Sequence, residues 1–200
     1  MATKLSTVVA ASPAADLVVV QEMAEQLEEY IQAGEVYRTI AVDTPEGEER
    51  VQTSGGDLLA RLHKLTAQAG QLSADQQQAL VAAQARVEQT CGRQSQQFQE
   101  LLLREAKARL NSLRWFLDDC SDNRRECRVQ YPFEIRNRQR IAEIRKALDA
   151  EMDQQLADGV ASIDKRLQSL ISGNEFVWDR AVADVYPRRE YWYLYGLPVG

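Results

Sequence analysis

The chain reads as a mainly α protein: a long antiparallel helical hairpin on a small helical base, with a short β-hairpin that a C-terminal strand is placed to complete. Three observations predict this. Apolar residues recur at spacings of three and four along most of the 200 residues. Only five prolines and ten glycines punctuate them. One stretch, near residue 40, switches to β-branched residues and turn chemistry. With 44% hydrophobic and 27% charged residues, the composition is that of a folded chain.

Taken in order, Ser12 followed by Pro13 is a helix N-cap with proline at the first helical position. Leu17, Val20, Ala24, Leu27 and Ile31 then share one face, so the first helix is expected from about 13 to 33, closed by Gly34. Val36 to Val42 forms a strand, Asp43-Thr44-Pro45-Glu46-Gly47 a turn, and Arg50 to Thr53 a returning strand. A short second helix follows Gly55-Gly56, with Leu58, Leu62, Leu65, Ala69 and Leu72 on one face. Ser73-Ala74-Asp75-Gln76 has the capping-box form and opens a much longer stripe. Leu80, Val87, Cys91, Phe98, Leu102, Ala106, Leu110, Leu113 and Leu117 carry it for roughly 45 residues, or ~65 Å. Asp118 to Asn123 breaks the stripe, Tyr131-Pro132 marks a restart, and Ile141 to Leu170 forms the return helix, closed by Gly173-Asn174.

Two long helices joined by a short connection should lie antiparallel. Folding the chain between Arg125 and Glu126 sets Leu110 opposite Ile141, Leu103 opposite Leu148, Val87 opposite Ile163 or Asp164 and Leu80 opposite Leu170 or Ile171, with Gly92 facing Gly159. A facing glycine pair implies close backbone approach or a shared bend. Gln94 and Gln155 are candidates for a polar layer in that seam. The glutamine-rich stretch, eleven of the residues from Gln68 to Gln99, reads as a solvated helix face. Residues 1–72 form the base, 73–173 the hairpin, and 174–200 an aromatic tail packing on the base.

Function is less legible. The net charge of -6 argues against general attraction to nucleic acid or anionic lipid. No apolar run approaches the ~20 residues of a membrane span, and the seven-residue run Leu5 to Ala11 is a poor secretory signal. Three cysteines, an odd number, suit a reducing cytoplasm; Cys120 and Cys127 could meet across a turn but read as two small half-buried thiols. The single histidine, His63, lacks partners for a zinc set or a catalytic arrangement and reads as a surface residue. No nucleotide-binding or hydrolase motif occurs, so no catalytic, cofactor-binding or metal-binding residue is assigned. Glu46, Glu48 and Glu49 read as exposed turn charge rather than a calcium site.

Two regions remain as candidate partner-binding surfaces. Residues 124 to 146 carry eight basic groups against three acids, and Arg136, Arg138, Arg140 and Arg145 have the fork geometry that suits phosphates or carboxylates. Pairing with the chain's own acids, or with another copy, is the favoured reading over nucleic acid. Half of the aromatics fall in the last twenty-five residues. Tyr191, Trp192, Tyr193 and Tyr195 read first as a strand completing the 36–53 hairpin, then as an interface anchor, and last as a weak membrane contact. The expectation is a noncatalytic scaffold, adaptor or assembly subunit that binds a protein partner or itself, the alternative being a nucleic-acid-associated regulator that uses the arginine-rich tip.

Overall fold

A computed structural model of the chain describes residues 12–44 and 47–199. The run Leu5 to Ala11 and the turn residues Pro45 and Glu46 lie outside them. The protein is mainly α. Among the described residues there are eight α-helices and two antiparallel two-stranded ribbons: α1 (Pro13–Glu25), α2 (Leu27–Ala33), β1 (Arg38–Thr44), β2 (Gly47–Thr53), α3 (Gly55–Ala67), α4 (Ala74–Arg93), α5 (Ser95–Asp122), α6 (Arg124–Glu134), α7 (Arg136–Ala147), α8 (Ala150–Leu170), β3 (Ile171–Phe176) and β4 (Tyr195–Pro198). The chain divides into two compact units. The first comprises the described residues of Ala11–Glu105 together with Glu143–Asp149, the second Ala106–Ala142 and the described residues of Ala150–Gly200.

In the first unit the local signals act as their chemistry dictates. The Ser12 side chain caps α1 through the Ala15 amide. The expected single helix bends at Gln26, whose amide still reaches the Glu22 carbonyl, and resumes as α2. Gly34 ends it at φ 67°, a left-handed conformation that glycine adopts without a Cβ clash. The β-hairpin pairs Arg38 with Thr53 and Ile40 with Val51. The capping box forms in full, Ser73 and Gln76 each bonding the other's backbone amide. At Gln94 the long stripe is interrupted for one residue while the hydrogen-bond ladder continues through it, so α4 passes into α5 with a kink rather than a reversal. Val20, Leu27, Leu58, Leu65, Leu101, Leu102 and Ile144 make the core.

In the second unit the chain doubles back at Asn123, within three residues of the expected fold point, and the helix restarts there rather than at Tyr131-Pro132. The Asn123 side chain accepts the Glu126 amide and starts α6, and Pro132 lies inside that helix. Cys120 and Cys127 form a disulfide across the reversal, which corrects the reading of two separate thiols: the antiparallel helices bring the pair to a Cα separation of 4.9 Å. The register is about one helical turn from the expected one, with Arg109 bonded to Asn137 where Leu110 was to meet Ile141. A second reversal follows α7. Within this unit α8 runs parallel to α5, because Gln155 meets Lys107, Gly159 meets Leu110, and Arg166 meets Asp118.

The residues expected to form a seam, Val87 with Ile163 and Leu80 with Leu170, fall in different units. Leu80 and Val87 are buried in the first unit, where α4 packs on α1, and Ile163 and Leu167 are buried in the second. Gly159 does mark a close approach, since a Cβ there would lie 3.1 Å from Leu110 Cδ1, but no atom lies within 4 Å of one at Gly92. Gln155 is exposed and accepts from Lys107 instead of lining a seam.

The C-terminal strand forms with a different partner. Tyr195–Pro198 pairs with Ile171–Phe176, and residues Trp192–Leu194 are a 3-10 turn rather than a strand. Gly196 permits this pairing at φ 121°, where a Cβ would stand 2.8 Å from the Ser172 carbonyl oxygen. The Val199 amide extends the ribbon to the Leu170 carbonyl.

Candidate interaction site

The second unit brings Arg138 and the aromatic tail together by burying them, with Arg136 and Arg140 half-buried nearby on the same helix. Arg138, only 7% exposed, forms a fork with Asp164: Nε to Oδ1 at 2.7 Å and Nη2 to Oδ2 at 2.9 Å. Its guanidinium lies 4.6 Å from the centre of the Tyr193 ring. Arg136 donates to the Phe133 carbonyl and sits over that residue's ring, while Arg140 donates to Gln139. Arg145, in the last turn of α7, is half-buried and belongs to the first unit. Arg138 thus ties α7 to α8 and to the aromatic tail.

The aromatic tail is core. Tyr191 and Tyr193 are fully buried, and Trp192 and Tyr195 half-buried. Rings meet in a continuous series with centroids 5.1–6.2 Å apart: Trp178 on Phe176 and Tyr186, Tyr186 on Tyr191, Tyr191 on Tyr193, and Tyr193 on Trp192. Several contacts are edge-on, the arrangement the ring quadrupole favours. Three of the polar ends donate to backbone carbonyls. Tyr131 donates to the Tyr193 carbonyl at 2.7 Å, Trp178 to the Pro132 carbonyl at 2.8 Å, and Tyr195 to the Tyr186 carbonyl at 2.8 Å. Burial, reinforced by Tyr193, pushes the Tyr131 phenol far above its ordinary range, so it stays a donor. Burial also raises the Glu134 carboxyl, against the opposing pull of Arg136.

In the first unit three buried carboxylates converge on α3. Glu105 accepts from Ser54 Oγ at 2.7 Å and from the Gly56 amide at 2.8 Å, satisfying donors at the helix N-terminus. Asp16 pairs with Arg61 and Lys64. Glu143 lies 3.0 Å from His63 Nδ1 and also meets Lys146 at 3.3 Å. His63 is therefore a half-buried, paired residue and not a surface one: α3 turns it toward a carboxylate from a helix far away in sequence. Tyr30 links the same region, taking the Gly55 amide and donating to the Val36 carbonyl. The adjoining cleft, lined by Tyr30, Arg38, Thr53 and Leu58 among others, holds about 20 Å³ of free space, room for one water.

The residue that sequence reasoning missed is Trp115. It is 71% exposed in the middle of α5, on the face opposite Leu110, Leu113 and Leu117. A signal was present: the largest apolar side chain of that helix falls off its apolar stripe. Val129 on α6 is likewise 59% exposed. No helix among the described residues is long and apolar enough to cross a membrane, and no group of three or more metal-ligating side chains forms among them. No protein-family model, no curated protein and no solved structure matches this chain.

Proposed function

We propose that the chain is a noncatalytic helical scaffold or assembly subunit whose partner is another protein or a second copy of itself. One observation carries the reading: Trp115 holds a large apolar ring in water from a rigid helix. Exposed aromatic side chains on a preorganised element are the usual anchors of protein interfaces, because they gain area at little entropic cost. The inward use of Tyr191, Tyr193 and Arg138 supports the same reading, since the unit that displays Trp115 is braced by them. Adaptor-like bridging by the two units belongs to the proposal, as does a cytoplasmic location, which rests on the odd cysteine count. The Cys120–Cys127 disulfide weighs against that location, because such bonds persist in oxidising compartments. Trapping thiols at cell lysis and counting the blocked ones decides it.

For the nucleic-acid alternative, Arg138 would have to leave Asp164 and Tyr193 to reach a phosphate. Affinity capture from native lysate with the wild-type chain and Trp115→Ala separates the readings. The interaction reading expects protein retained by the wild type and lost from the variant. Identical retention by both, or captured nucleic acid that is released as salt rises, overturns it.

A further inference from the structure

Resting on this reading of the chain as an assembly subunit, we propose that its copies associate head to tail, the outer face of α5 on one copy docking on the outer face of α6 on the next. Trp115, Asp118, Asp119 and Asp122 are exposed and share one face of α5 at helical spacing. Arg125 and Val129 share the outer face of α6, with Arg124 exposed at its start. Each face thus offers one large exposed apolar side chain beside charges, acidic on α5 and predominantly basic on α6, where Glu126 is also exposed among the arginines.

These charges are not consumed within the molecule. Among the described residues, Asp119, Asp122, Arg124 and Arg125 take part in no ion pair, although all four fall within seven positions of one another. Asp118 alone is engaged, at 2.7 Å from Arg166. The reason is geometric. The Cys120–Cys127 disulfide marks the sides on which α5 and α6 meet, and at 100° per residue Trp115 lies about 140° round α5 from Cys120 while Val129 lies about 160° round α6 from Cys127. Trp115 and Val129 therefore look away from each other, as do Asp122 and Arg125, each about 160° round its helix from the cysteine, so these pairs cannot meet in the same chain.

Between two copies they can. Because the faces differ and point apart, the contact is heterologous and leaves a free face at each end, so copies add in a row rather than closing as a two-fold dimer. A few side chains per face bury far less than the area of a standard interface, which makes the association weak and sensitive to salt.

Sedimentation of the full chain over a concentration series up to about 0.5 mM tests this. The wild type should show an average mass that climbs above 22.6 kDa with concentration and returns to it in roughly 0.5 M salt. Trp115→Glu should stay monomeric throughout, as should the acid-face reversal (Asp119→Lys with Asp122→Lys) and the base-face reversal (Arg124→Glu with Arg125→Glu), each with an unchanged helical circular dichroism spectrum. Mixing the two reversed proteins should restore association, because one supplies an intact basic face and the other an intact acidic one. A wild type that remains monomeric, or association indifferent to all three variants, or reversed proteins that fail to rescue each other would overturn the proposal. A monomeric wild type that still retains a protein partner through Trp115 would overturn self-association and leave the broader reading standing; a chain that does neither overturns both.

Discussion

The two units solve the problem of burial with different chemistry. The first places three carboxylates, Asp16, Glu105 and Glu143, at 5% exposure or less and answers each with groups carried by α3. The second relies on rings: Tyr131, Tyr186, Tyr191 and Tyr193 fill its interior, a disulfide closes its helix reversal, and one buried ion pair lies against an aromatic face. A buried charge costs several kcal/mol unless its partners are well placed, so the first unit is specified by direction and fails when one partner goes. Aromatic burial is less directional, so the second unit is specified by volume and area.

Removing the chain after Pro187 sharpens this contrast most. It deletes Tyr191, Tyr193 and the strand partner of β3, and should unfold the second unit outright, seen as loss of near-ultraviolet circular dichroism from its rings. Tail truncation is therefore no clean test of partner binding. Next in size is Glu105→Ala, which strands the Gly56 amide, takes one carboxylate partner from Ser54 Oγ at the start of α3 and should cost about 3–5 kcal/mol in urea unfolding. A comparable loss from Leu58→Ala with none from Glu105→Ala would break the distinction between the units. Smaller again is the double change Cys120→Ser with Cys127→Ser: the loop is short, and chain entropy alone gives about 2–3 kcal/mol. Thiol counting in denaturant should find one group before reduction and three after.

The smallest effect concerns Cys91 on α4, the free cysteine. Burial pushes its thiol up to about 11. At pH 8 the folded chain should carry about a hundredfold less thiolate than an unfolded one, and alkylation should be slowed to match. The sign for stability follows. Between pH 9 and 11 the unfolded chain ionises while the folded one does not, so this group lowers stability as pH rises through that window.

What was readable in advance was local. The Ser12 and Ser73 caps, the Gly34 stop and the hairpin expected over 36–53 each depend on a few neighbouring residues, and each formed, the hairpin over Arg38–Thr53; the return stripe from Ile141 to Leu170 did not form a single helix. The second reversal was hidden because Ile144, Leu148 and Met152 keep the helical period across it. Its charge signal was there: Arg145 and Lys146 end one helix, and Glu151 and Asp153 begin the next, the signs that favour a helix C-terminus followed by an N-terminus. The candidate site was half legible. Composition singled out the arginines and aromatics, but not that Arg138 would meet Asp164, nor that the tail would turn inward.

By itself, then, the sequence determined the helical class, the hairpin, most caps and the presence of a dense aromatic tail, since propensity and capping act over a few residues. Only the tertiary structure decided that α8 runs parallel to α5, that β4 pairs with β3, that His63 meets Glu143, and that Trp115 is left in water. Those outcomes depend on which faces compete for the same buried space, and an apolar stripe states that it must be covered without stating by what.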